Sequence, residues 1–131
     1  MSPPKPVPKG LARVYESFGH HLVILMLVAC ADDEVAAVER DVILRYCQDR
    51  VRQSGSEFTP GEMSTLEEFL RDYHPSLAQI IAAIHQLKFE AKSDIAELIA
   101  GAHAVVEADG VVRAQEALYL GSLRRDLLAL T

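Results

Sequence analysis

Asp32 and Glu39 stand seven residues apart, and 77 positions further on Asp109 and Glu116 repeat that spacing. Each pair sits in the frame Ala-Asp-x-x-Val-x-Ala-x-Glu, completed by Ala31, Val35 and Ala37 in one copy and by Ala108, Val112 and Ala114 in the other. Carboxylates at this spacing suit a hard divalent cation. In a calcium-binding helix–loop–helix the ligands come from positions 1, 3, 5, 7, 9 and 12, the seventh through its carbonyl and the twelfth through both oxygens of a glutamate. Asp109 to Glu116 fits positions 5 to 12 of such a loop, with Gly110 at the sharp turn and Val111 offering its carbonyl. In the first copy Asp32, the carbonyl of Glu34 and Glu39 take the same places. The candidate metal ligands are therefore Asp32, Glu34, Glu39, Asp109, Val111 and Glu116. The front half of the loop is missing, because its first and third positions fall on Val105 and Glu107, or on Val28 and Cys30, inside helical sequence. A tight cage is excluded. What the metal reading retains is a weak Ca²⁺ or Mg²⁺ site completed by water or by the other copy.

The same carboxylates have two other uses. Acids before or within the first turn of a helix satisfy free N–H groups and oppose the helix dipole, each contributing roughly 0.3–1 kcal/mol. Against pure capping, the partner positions of a capping box are Ala36 and Arg113, which carry no hydroxyl. The alternative is a small metal-dependent enzyme in which the paired Asp and Glu act as base and acid. No nucleophile elbow, phosphate-cradling glycine loop or Ser/His/Asp ordering supports catalysis.

The elements that must position these acids are helices. Leu22 to Ala31 is ten apolar residues running straight into Asp32-Asp33-Glu34. With Leu11, Val14, Tyr15 and Phe18 ahead of it at three- and four-residue steps, it predicts one long helix whose second half is buried on all sides. A second helix is expected from about Ala36 to Gln53, with Val38, Val42, Ile43, Tyr46 and Cys47 inward, ended by Ser54-Gly55-Ser56. Thr59-Pro60-Gly61-Glu62 is a capping box with proline at the first helical position, and opens a third helix burying Met63, Leu66, Phe69, Leu70 and Tyr73. His74-Pro75 reads as the cap of a fourth, carrying Leu77, Ile80, Ile81, Ile84 and Leu87. A fifth carries Ile95, Leu98, Ile99, Ala102, Val105 and Val106, and a sixth runs from about Arg113 towards Leu130. His103 falls on the apolar side, where Met26 stands in the first copy, and is read as a core histidine. No segment alternates with period two. The expectation is an all-α bundle of about six helices, with a flexible proline-rich tail over 1–10 and one domain over 11–131.

A net charge of −6 argues against a nucleic-acid partner, since no Lys/Arg stripe is available to neutralise phosphates. Lys88 with Lys92, and Arg124 with Arg125, read as solvated helix faces balanced by nearby acids. Cys30 and Cys47 occupy apolar helical positions outside any metal or redox spacing, as buried thiols in a reducing compartment would. Leu27-Val28-Ala29-Cys30 matches the cleavage box of a bacterial lipoprotein. Against that, Glu16 and His20-His21 interrupt the approach, and the apolar run has a counterpart after residue 98. Ten apolar residues are too few to span a bilayer, so a core helix is the preferred reading and a transmembrane one is not.

At Ala31-Asp32-Asp33-Glu34-Val35…Glu39 and Ala108-Asp109-Gly110-Val111-Val112…Glu116, each behind an apolar helix, the chain resembles the TerB-like family. That family includes tellurite resistance proteins and a domain of membrane-anchored DnaJ-like co-chaperones. The resemblance extends loosely over 11–131. It implies a cytoplasmic, bacterial, all-helical interaction module in stress response near the membrane, and a protein partner; a homodimer is compatible with it. It also implies an acidic, divalent-metal-binding patch built by both repeats. Carried over, the patch would use Asp32, Glu39, Asp109 and Glu116, with Glu34 beside them. Asp33 stands where the family commonly has glycine, and Ala36 and Arg113 where it commonly has a hydroxyl. Tellurite resistance itself does not follow.

Overall fold

The computed structural model describes residues 8–29, 37–108, 121 and 125. Among the described residues a 3-10 turn, Lys9–Leu11, is followed by six α-helices: α1 (Ala12–Tyr15), α2 (Gly19–Ala29), α3 (Ala37–Gln53), α4 (Pro60–Leu70), α5 (Leu77–Leu87) and α6 (Lys92–Glu107). No strand occurs among the described residues, and the protein is an all-α bundle.

The bundle is built around α2. Its Leu22, Val23, Ile24, Leu25, Met26, Val28 and Ala29 are all buried, so beyond His20 the helix has no exposed residue. It packs on α3, α5 and α6, while α3 also packs on α4 and α6, and the opening turn lies on α4. The apolar run therefore marks the centre of the molecule, as its lack of a polar stripe requires.

The expected single helix from Leu11 to Ala29 is broken. Residues 16–18 form a turn, and the segments Lys9–Tyr15 and Gly19–Ala29 meet at 109°. The N–H groups of Ser17 and Phe18 bond the carbonyls of Val14 and Tyr15, three residues back, which tightens the chain out of α-geometry. Gly19 admits the bend, because a Cβ there would lie 2.6 Å from the Tyr15 ring. Apolar periodicity continues across the break and so conceals it. No single helix among the described residues is long and apolar enough to cross a membrane.

Helix ends follow the local chemistry. Gly55, at φ 88°, turns the chain after α3, a conformation that costs glycine little. The Thr59–Glu62 capping box forms as expected, with Glu62 N–H to Thr59 Oγ1 at 3.1 Å and Thr59 N–H to Glu62 Oε1 at 2.9 Å. Arg13 from α1 donates to both oxygens of Glu62, at 2.6 and 3.1 Å, and to the Glu57 carbonyl. This clamp holds the Glu62 carboxyl well down, to about 2. The α5 cap is Ser76 and not His74: Gln79 N–H donates to Ser76 Oγ and Ser76 N–H to the Gln79 side chain, a second capping box.

Five residues expected on the apolar sides of their helices are exposed instead. Val38 is exposed. Leu77, Ile81 and Ile84 of α5 are exposed as well, because the helix is apolar on more sides than it has neighbours and rests on Ala83, Leu87 and the partly buried Ile80. His103 is exposed and pairs with Glu107 at 3.0 Å, one turn on along α6.

Candidate functional site

Of the six candidate metal ligands, Glu39 alone lies among the described residues. Asp32, Glu34, Asp109, Val111 and Glu116 fall outside them, as do Cys30 and the helix expected after Arg113, apart from Gly121 and Arg125. Glu39 stands in the first turn of α3, where the helix dipole favours a carboxylate, and its side chain is buried at 2% exposure. Carboxylates with a backbone carbonyl make a hard oxygen donor set, which suits Ca²⁺ or Mg²⁺ rather than zinc or copper. Among the described residues no group of three or more His, Cys, Asp and Glu could hold a metal ion.

The interior carries a polar chain that no spacing in the sequence announces. His21, in the first turn of α2, is buried, and a buried imidazole needs partners on both nitrogens. Tyr46 of α3 meets Nδ1 at 2.6 Å, and Glu90, in the α5–α6 connection, meets Nε2 at 2.8 and 3.1 Å. In the neutral tautomer that satisfies all three groups, Nε2–H donates to the Glu90 carboxylate and Nδ1 accepts the Tyr46 O–H. Arg50, one turn beyond Tyr46, extends the chain. Its guanidinium lies 3.7 Å from Glu90, donates to Asp94 at 2.9 Å and Glu97 at 3.4 Å, and reaches the Ser17 carbonyl at 3.4 Å. Gln53 donates to the other Glu97 oxygen at 2.9 Å. Gly101 of α6 makes room for the Tyr46 ring, since a Cβ there would sit 2.6 Å from it.

Burial governs the electrostatics of this chain. It lowers the His21 pKa, against the pull of Glu90 and with help from Arg50. It pushes the Tyr46 hydroxyl and the Cys47 thiol far up, leaving both protonated and unreactive at neutral pH. A Tyr–His–carboxylate series can relay a proton in principle, but here the imidazole is sealed between helices and every partner is engaged. What the arrangement does is tie α2, α3 and the start of α6 together. Beside it, Glu16, Ser17, Arg50, Gln53, Ser54 and Asp94 line a cleft of about 280 Å³. Arg50 is already committed to Ser17 and the acids, so the cleft offers an incoming anion little.

The opposite character appears on α5. Leu77 is 72% exposed, Ile81 58% and Phe89, just past the helix end, 77%, with Ile84 beside them. Leu77, Ile81 and Ile84, at i, i+4 and i+7, form one stripe with Phe89 exposed just beyond it, which is not the scattered pattern of an ordinary soluble surface. No family model, no curated protein and no solved structure matches the chain.

Proposed function

We propose that this chain is a non-enzymatic, TerB-like interaction module that binds a partner through α5 and holds a divalent cation weakly in its paired acidic turns. The observation that carries the reading is the exposed apolar stripe Leu77, Ile81 and Ile84 with the exposed Phe89 past its end, set against interior polar groups that are spent on one another. Surface of this kind costs free energy in water unless something covers it. For the cation, the support is the repeated Asp and Glu seven apart and the resemblance of both turns to the family motif.

A photoreactive benzoylphenylalanine at position 81, introduced in the native cell, tests the docking reading. It should give a covalent adduct on irradiation, whereas the same residue at the exposed position 45 of α3 should not. Absence of any adduct at 81 would sink the interaction module. For the cation, saturating Ca²⁺ or Mg²⁺ at about 100 times Kd should stabilise the fold by roughly 2.7 kcal/mol. That raises the melting temperature by several degrees, and Asp109→Asn or Glu116→Gln should abolish the rise. Asp32→Asn or Glu39→Gln should reduce it less, because Asp33 replaces the glycine that eases the turn. A melting curve indifferent to millimolar Ca²⁺, Mg²⁺ and Mn²⁺ would leave the acids as helix caps.

A further inference from the structure

Helix α5 is a ridge. Of its eleven residues only Ala83 and Leu87 are buried and only Gln79 and Ile80 half-buried, so more than half of its circumference faces outward. That outward side is mostly apolar, with Leu77, Ile81 and Ile84 beside the exposed His85 and Gln86, and Phe89 follows just past the helix end. A convex apolar ridge does not cradle a helix as a groove does; it inserts.

The charge around the ridge is unlike that of the rest of the chain. In a sequence with 19 acids and 13 bases, residues 73–89 contain no Asp or Glu at all, but do contain His74, His85 and Lys88. Lys88 and Lys92, both exposed, flank Phe89. The acid next to Phe89, Glu90, is turned inward onto His21 and Arg50, which offset its charge. The acids of α3 and α4 sit on helices with which α5 makes no extensive contact, since α5 packs chiefly on α2.

We propose that α5, with Phe89 and Lys88/Lys92 at its end, docks on an anionic lipid bilayer, lying in the interface with its apolar ridge below the headgroups and the lysines among them. The proposal rests on the interaction-module reading and names the occupant of its docking face. Cationic residues near an anionic surface attract it while apolar ones anchor, and neither suffices alone.

The test uses the full chain with vesicles of phosphatidylcholine, with and without one-third phosphatidylglycerol. The protein has no tryptophan, so Phe89→Trp supplies a single reporter. Its emission should move to shorter wavelength and be quenched by brominated lipid on anionic vesicles only, and high salt should reverse both. Lys88→Gln and Lys92→Gln should each weaken flotation with anionic vesicles about fivefold. Ile81→Ser combined with Phe89→Ser should abolish it, with melting curves unchanged because both residues are exposed. No emission shift and no flotation at low salt would overturn the proposal, as would binding indifferent to these substitutions. A dimer by light scattering that Ile81→Ser dissolves, without vesicle binding, would give the ridge to a second copy instead. A protein adduct at position 81 without vesicle binding defeats the lipid proposal and leaves the interaction module standing. Failure of both adduct and vesicle binding defeats both.

Discussion

His21 gains its surroundings from residues 25 and 69 positions away, and single substitutions there reach across the molecule. Tyr46→Phe removes the hydroxyl that satisfies His21 Nδ1 and leaves a buried acceptor unpaired, at a cost of roughly 1–3 kcal/mol in urea unfolding. The pH dependence follows from burial. Because burial lowers the folded-state pKa of His21, the unfolded chain takes the proton first, and the contribution of the neutral ring is complete above about pH 6.5. It is lost as pH falls through the folded value. Wild type should therefore melt at lower temperature at about pH 5 than at about pH 7.5, and His21→Gln should flatten that slope. Glu62 acts in a separate window. Its carboxyl, held down to about 2 by Arg13, stabilises above the ordinary value of 4.5, and that contribution disappears as pH drops from 4.5 through 2. Glu62→Gln should remove that portion of the acid transition and leave the histidine portion in place.

Among the elements, α2 and α5 show how far the sequence could be read. The buried helix was legible because an apolar run without a polar side has nowhere to go but the centre. Leu25→Ala should cost roughly 2–5 kcal/mol by denaturant unfolding, and a value near that of a surface site would contradict the packing. The Thr59–Glu62 box was legible for a local reason, since both partners lie within one turn. The equivalent Ser76–Gln79 box is masked in the sequence by His74-Pro75, which reads as a sufficient boundary by itself. The outward side of α5 was not legible: periodicity shows that a helix has apolar sides and does not show how many neighbours will cover them. The two histidines make the same point. Both His21 and His103 sit among apolar residues, and only the fold decides that Glu90 is delivered to one while the other meets Glu107 in water. The hint in the sequence is that His21 stands directly against the apolar run Leu22 to Ala31. For the acidic turns, only Glu39 can be set against its expectation, and it is buried in the first turn of α3.

For the whole molecule, α2 is the shared wall against which α3, α5 and α6 all rest. Gly101→Ala should show the tightness of this arrangement from the opposite side to a cavity, by forcing the Tyr46 ring away from α6. We expect a loss of about 1–3 kcal/mol, read as a lower urea midpoint. The fully buried Cys47 supplies a further use of this packing. Its thiol sits on α3 between those helices, is kept protonated by burial, and meets reagent only when the helices part. In a Cys30→Ser background it is the sole thiol of the chain. Its labelling by a disulfide reagent then counts openings of the native protein one at a time. At high reagent the rate should level off at the opening rate itself, and at low reagent it should scale with the opening equilibrium. One sulfur atom thus turns the bundle into its own clock.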